Sequence, residues 1–238
     1  MARKGRGRPG PRSAFERLNS ARRRKGSSTR WLQRHINDPY VRAARAAGYR
    51  SRAAYKLIEI DERFHLLRPG RTVVDLGAAP GGWSQVAAER VRTRWGKGRV
   101  IALDRVEIEP IAGVETLILD VEEMDLEALT APTGLGAEIG GRVDVVLSDM
   151  ALPASGHSGA DHLRIVALCE AALELAITLL RPGGAFVVKV YKGGSEPELR
   201  ERLKRHFQTV RHAKPAASRP QSAEIYVIAT GFRGPAGR

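Results

Sequence analysis

The sequence predicts an α/β protein built on a seven-stranded, mostly parallel sheet with helices on both faces and a basic N-terminal extension. Three observations lead there. Beyond Pro69-Gly70, short β-branched runs alternate with longer helical stretches, as they do in parallel sheets. The first of those runs ends in Asp75 and passes through a glycine-rich turn into a helix. The charge is also divided: of a net +14 over 238 residues, Met1 to Lys56 holds 17 Lys and Arg against 2 Asp and Glu, and the remainder 23 against 24. A near-neutral stretch of ordinary apolar content can bury one core, and the excess charge lies outside it.

Residues 1–28 mix Arg, Lys, Gly, Pro and Ser with few large apolar side chains, a composition that does not repay the entropy of ordering. They are expected to be a disordered tail before a single domain over 29–238, with helices over 29–66 and a core over 67–238. Asp38-Pro39 followed by YVRAARAAG reads as a short helix that Gly48 stops. Ser51 is read as the N-cap of a second helix, where Ala53, Leu57, Ile60 and Phe64 recur at helical spacing and Lys56 lies at the edge of the stripe. The strands are then TVVDL (Thr72–Leu76), RVIALD (Arg99–Asp104), TLILD (Thr116–Asp120), VDVVLSD (Val143–Asp149) and AFVVKVY (Ala185–Tyr191), with QTVRHA and EIYVIATGF at the end, joined by KPAASRPQSA. WSQVAAERV (Trp83–Val91), HLRIVALCEAALELAITLL and PELRERLKRHF supply the helices, the second closed by Arg181-Pro182-Gly183-Gly184.

Composition excludes several chemistries. Cys169 is the only cysteine, which removes intrachain disulfides, zinc-finger clusters and CxxC redox pairs; in VALCEAALEL it reads as a core residue. The histidines show no ligand spacing, so no metal is expected. No run approaches the roughly 18 apolar residues of a membrane span, and the Arg-rich N-terminus lacks an apolar signal region, so the expected compartment is the cytoplasm, with no membrane contact.

The informative stretch is VVDLGAAPGGW. A strand running through Gly77, Ala78, Ala79, Pro80, Gly81 and Gly82 into a helix makes a side-chain-poor turn against which a ligand can lie. A dinucleotide fingerprint would need glycine where Ala79 stands; the D-x-G-x-x-x-G spacing fits the first motif of Rossmann-like S-adenosylmethionine (SAM) methyltransferases. Asp104 ends the second strand, where a carboxylate can accept both hydroxyls of a ribose, and Asp120 ends the third. Taken singly, each can also be read as a solvated strand end. Together they converge on the crevice where open α/β sheets bind ligands, which points to a nucleoside-type cofactor. Four ionisable residues also stand in apolar surroundings: Lys189 inside AFVVKVY, Asp149 ending VDVVLSD, Glu224 opening the last strand and Lys56 beside the helical stripe. A lysine in a buried strand is either one partner of a structural ion pair or a desolvated base.

On these residues the chain resembles the FtsJ-like ribosomal RNA large-subunit methyltransferases, the uridine 2′-O-methyltransferase family. The match runs from about Ser27 to Gly231, through SRAAYKL, VVDLGAAPGGWSQ, KGRVIALD, VVLSDMA, FVVKVY and SAEIYVIATG. The family's Lys-Asp-Lys-Glu signature is met by Lys56, Asp149, Lys189 and Glu224. The resemblance implies a SAM pocket, with S-adenosylhomocysteine as product, in the turn beginning at Gly77. Gly81 and Trp83 belong to that turn, with Asp104 for the ribose, Asp120 on the adenine side and Asp149 near the methionine portion. Where the family continues DMAPN, this chain departs with Leu152 and Pro153.

The expected reaction aligns a ribose 2′-hydroxyl with the methyl and removes its proton. Lys189 is assigned as proton acceptor, with Lys56 opposing its charged form, and Asp149 and Glu224 orienting both lysines. The resemblance implies the A-loop uridine of 23S rRNA in the assembled large (50S) subunit as substrate, and the protein is expected to be a monomer. Arg34, Arg42, Arg45, Arg50 and Arg52 are candidate phosphate contacts in an RNA-facing subregion, and Trp31 is either a hydrophobic staple or a stacking platform. Rival readings are 2′-O-methylation of tRNA or an mRNA cap, a catalytically silent ribosome-assembly factor, and an NAD-linked dehydrogenase.

Overall fold

The computed structural model describes residues 29, 32–33, 35–93, 96–121, 139, 141–151, 158–192 and 196–234. The tail over 1–28, Trp31, Arg34, Leu152 and Pro153 lie outside the described residues. Two helices precede the sheet, α1 (Pro39–Ala47) and α2 (Ala54–Phe64). Asp38 caps α1 by accepting the amide of Tyr40, Pro39 occupies a position whose N–H would be unpaired anyway, and Gly48 closes the helix in the left-handed region at φ 78°. Helix α2 differs from expectation at its start: its N-cap is Ala53, with no side-chain cap. Ser51 instead packs its Oγ against Gly82, a contact that leaves no room for a Cβ there.

The core follows as β1 (Thr72–Leu76), α3 (Gly82–Val91), the short hairpin β2 (Arg92–Thr93) and β3 (Gly96–Lys97), then β4 (Arg99–Asp104), β5 (Glu115–Ile118) and β6 (Val143–Ser148). Helix α4 (Ser158–Leu179), β7 (Leu180–Tyr191), α5 (Glu196–His206), β8 (Phe207–Ala213) and β9 (Glu224–Phe232) complete it. Seven strands form one sheet in the order β5-β4-β1-β6-β7-β9-β8. All neighbours are parallel except β9, which lies antiparallel between β7 and β8.

Side chains alternate along each strand, so the two faces feed two apolar clusters. Val73, Val145, Leu147, Val187 and Tyr226 pack with α2 and α3, whereas Val74, Val146, Val188 and Val227 pack with α4 and α5. Both faces being covered explains why the central strands read as nearly continuous apolar runs. The chain enters at β1, winds outward to β5 and then restarts on the other side at β6. That reversal between β1 and β6 opens a crevice at their carboxyl ends.

Two strand limits depart from the sequence reading by more than one residue. Strand β7 begins at Leu180, paired with Val143, and its register slips before Val145 meets Ala185, so Pro182-Gly183 bulges out of an otherwise continuous strand. Strand β5 is an edge strand that ends at Ile118, two residues short of Asp120, which leaves Asp120 outside the ladder at the crevice. Among the described residues no helix is long and apolar enough to cross a membrane.

Candidate active site

The crevice is a cleft of about 370 Å³ lined by Gly77, Asp104, Asp120, Asp149, Met150 and Leu168, among others. Its floor is the turn between β1 and α3. Gly77 has φ 67°, and a Cβ there would come within 2.3 Å of the Met150 Cγ; Gly81 has φ 110°, and a Cβ there would meet the Ile111 Cδ1 at 2.4 Å. Both the backbone conformation and the close approach of neighbouring loops therefore require glycine. The amides of the turn are spent inside the protein: Gly77 and Ala78 donate to the Leu103 carbonyl, Gly81 to that of Ala78, and Ala79 to the Asp104 carboxylate at 2.9 Å. A pyrophosphate would need those donors, so the turn is not built for a dinucleotide.

Asp104 is oriented by a second backbone donor, the Val106 amide at 3.1 Å. With Asp120 and Asp149 it gives the cleft three carboxylates against one lining cation, Arg105. Such a lining suits a ligand that carries positive charge and ribose hydroxyls, flanked by the apolar Val106, Leu119, Val121 and Leu168. The donor set thus fits SAM, a sulfonium with an adenosyl ribose. Of the residues expected to hold it, Gly77, Asp104, Asp120 and Asp149 line the cleft. Gly81 and Trp83 are not among the lining residues. The Trp83 indole is buried, donates to the Ala53 carbonyl at 2.8 Å and lies 5.6 Å from the Tyr226 ring, so it braces the site from beneath.

The four ionisable residues singled out in the sequence meet at the lip of this cleft. Lys56 comes from the first turn of α2, Asp149 directly follows β6, Lys189 lies in β7, and Glu224 opens β9. Lys56 Nζ is 2.7 Å from Glu224 Oε1 and 3.9 Å from Asp149 Oδ1. Lys189 Nζ is 3.0 Å from the same Asp149 oxygen and donates to the Asp149 carbonyl at 2.6 Å. Both lysines are buried, at 7% and 6% exposure, and each has a carboxylate partner that offsets the cost of that burial.

Sequence reasoning missed a fifth member. The Tyr226 hydroxyl donates to Asp149 Oδ1 at 2.7 Å, and Lys56 Nζ stands 5.6 Å from the centre of its ring. Burial first, then the Asp149 and Glu224 charges, raise the Tyr226 phenol well above its ordinary value, so it remains a donor. A signal was present: Tyr226 lies two residues after Glu224 and therefore on the same side of the strand. Beneath the turn, Asp75 is buried and accepts from the Ser84 hydroxyl at 2.6 Å. Burial, with help from Asp149 and Asp104, pushes its pKa from 3.8 to about 7 despite the Ser84 hydrogen bond. Cys169 is a core thiol pushed up to about 11 by burial, its S–H directed at the Lys189 carbonyl.

The arginines expected to touch phosphate divide into two groups. Arg50 donates to the carbonyls of Pro80, Glu109 and Pro110, clamping the glycine-rich turn to the loop after β4. Arg52 pairs with Asp38 and donates to the Ala217 carbonyl, tying the β8–β9 loop to α1 and α2. Their guanidinium groups are committed within the fold. Arg45 is exposed and Arg42 half-buried on α1.

Residues 49–232 match the family model described as FtsJ-like methyltransferase. A ribosomal RNA large subunit methyltransferase E from Paramagnetospirillum magneticum is 55% identical over 227 residues, 94% of this chain and 91% of that protein. Its namesake from Xanthobacter autotrophicus is 54% identical over 230 residues, 97% of this chain and 89% of that one. A crystal structure from Plasmodium falciparum, described as a ribosomal RNA methyltransferase, superposes with a TM-score of 0.68 at 33% identity, covering 79% of this chain and all of that one.

Proposed function

The chain belongs to the FtsJ-like methyltransferase family, and from that premise we propose that it methylates the ribose 2′-hydroxyl of a uridine in the A-loop of 23S rRNA, on the large ribosomal subunit in the cytoplasm. The observation that carries this reading is the meeting of Lys56, Asp149, Lys189 and Glu224 beside a cleft that suits SAM. The two similar bacterial proteins are named for large-subunit ribosomal RNA, which supports the choice of substrate over tRNA or a cap.

SAM supplies a methyl group already activated by its sulfonium, so the protein's work is positioning and proton removal. Asp104 would accept from the ribose hydroxyls of the cofactor, and Asp120 would border its base. Asp149 holds Lys189 through two acceptors, its Oδ1 and its own carbonyl. An sp³ nitrogen so bonded has one position left, and that position takes the substrate hydroxyl. Lys189, neutral in the reactive state, accepts the hydroxyl proton. Lys56 is held at 2.7 Å by Glu224, where it attracts the neighbouring phosphate. Tyr226 fixes the shared Asp149 oxygen so that the two lysines keep their separation.

The test is transfer of labelled methyl from SAM to large subunits purified from a strain lacking the enzyme, with mapping of the modified nucleotide. One 2′-O-methyluridine in the A-loop is expected. Label on tRNA or capped RNA, or on a base, would overturn the substrate assignment, and binding without transfer would point to an assembly factor.

A further inference from the structure

The end of the sheet opposite the cleft carries a second concentration of charge. Two Pro-Gly turns meet there, Arg68-Pro69-Gly70-Arg71 before β1 and the Arg181-Pro182-Gly183 bulge of β7. Between them Arg142, just before β6, donates to the carbonyls of Thr178 and Leu180. Arg233 follows β9, and its neighbour Gly234 lies against Pro182. Arg68, Arg142, Arg181 and Arg233 are exposed, and Arg71 is half-buried with a hydrogen bond to the Leu66 carbonyl. Among these residues Asp144 pairs with Arg181 and accepts the Thr72 amide. Burial lowers the Arg71 pKa; Asp144 and, more weakly, the buried Asp61 counter this, while Arg68 and Arg181 push the same way as burial, so the guanidinium groups repel one another.

Five arginines against two carboxylates, Asp144 and the buried Asp61, leave the face positive in the free protein, and an array of phosphates laid across it relieves that repulsion. Guanidinium forks match phosphate oxygens in pairs. A Cβ built on Gly70 or Gly183 meets nothing within 4 Å, so the two turns leave space for a nucleic-acid backbone to come close. The face is remote from the chemistry: Leu180, the neighbour of Arg181, pairs with Val143, and six residues of β6 separate that level from Asp149, about 20 Å at roughly 3.3 Å per residue. A nucleotide segment entering the cleft does not reach it directly. We propose that this strand-base face docks the phosphate backbone of a second segment of the folded ribosomal RNA; the inference rests on the RNA-substrate reading above.

The test compares wild type with Arg68→Gln/Arg142→Gln/Arg233→Gln on two substrates, whole large subunits and a short A-loop hairpin. With subunits KM is expected to rise about tenfold at unchanged kcat, and the slope of log affinity against log salt to fall by about 2. With the hairpin both constants stay at the wild-type value. Because Arg142 also braces the end of α4, the double variant Arg68→Gln/Arg233→Gln is measured alongside, and the triple lysine variant should restore subunit binding. Unchanged KM on subunits would overturn the proposal, as would an equal loss on the hairpin. A loss seen with subunits but absent with protein-free 23S rRNA would assign the face to an acidic ribosomal protein instead. If wild type binds RNA in a manner sensitive to these arginines yet transfers no methyl, the functional reading fails and the docking face stands.

Discussion

Replacing Asp75 by Asn tests how strongly the protein is strained by a charge placed beneath its ligand-binding turn. Asp75 is 1% exposed and accepts from the Ser84 hydroxyl at 2.6 Å, a bond that lowers the pKa less than burial raises it. The folded carboxyl titrates at about 7 against an ordinary 3.8. Between those values the folded state binds the proton and the unfolded state does not, so stability falls as pH rises from about 4 to 7. Below that window both states are protonated, and above it both are ionised with the destabilisation complete. At about 1.4 kcal/mol for each tenfold change in proton affinity, the displacement amounts to about 4 kcal/mol at pH 8. Asn keeps an oxygen for Ser84 and has no charge to bury. Urea denaturation of both proteins between pH 5 and 8 checks this, since every other titrating group is common to the two. The advantage of Asp75→Asn is expected to grow by a few kcal/mol across that range, and stability curves that stay parallel would refute the reasoning.

Three further outcomes are expected. Lys189→Ala should lose methyl transfer by several orders of magnitude while retaining SAM affinity within a few-fold by calorimetry; near-normal turnover would remove it as proton acceptor. Gly77→Ala places a Cβ against Met150 at φ 67° and should cost about 1–3 kcal/mol in thermal or urea unfolding, with weakened SAM binding. Tyr226→Phe removes a hydrogen bond to a carboxylate, an interaction of about 1.5–3 kcal/mol, so kcat should fall about tenfold or more with KM for SAM little changed.

Much of the architecture was legible because it rests on local chemistry. Val, Ile and Leu runs buried on both faces announce parallel strands, and Asp38-Pro39 with Gly48 marks both ends of α1. What was not legible depends on distant partners. Nothing local shows that Arg50 meets the carbonyls of residues 109 and 110, or that Arg52 meets that of residue 217. From charge alone both looked available to phosphate. The four ionisable residues were each visible as charges in apolar surroundings, while the family resemblance named them as one tetrad. Tyr226 escaped because a tyrosine in a strand is ordinary; only its opposition to Lys189 across the β7–β9 ladder gives it a role. The resemblance put Trp83 in the SAM pocket, whereas its ring is buried beside that of Tyr226.

The placement of β9 has a consequence for how the protein is made. It is made after the other six strands of the sheet, yet it fits between β7 and β8 and brings in both Glu224 and Tyr226. Until it arrives, β7 presents an unpaired edge, and Lys56, made long before, has no carboxylate from Glu224 to meet. The cleft for the cofactor, built from β1, β4 and β6, needs none of this and can form earlier. The ion-paired cluster around Lys56 thus waits for β9, whereas the cleft does not.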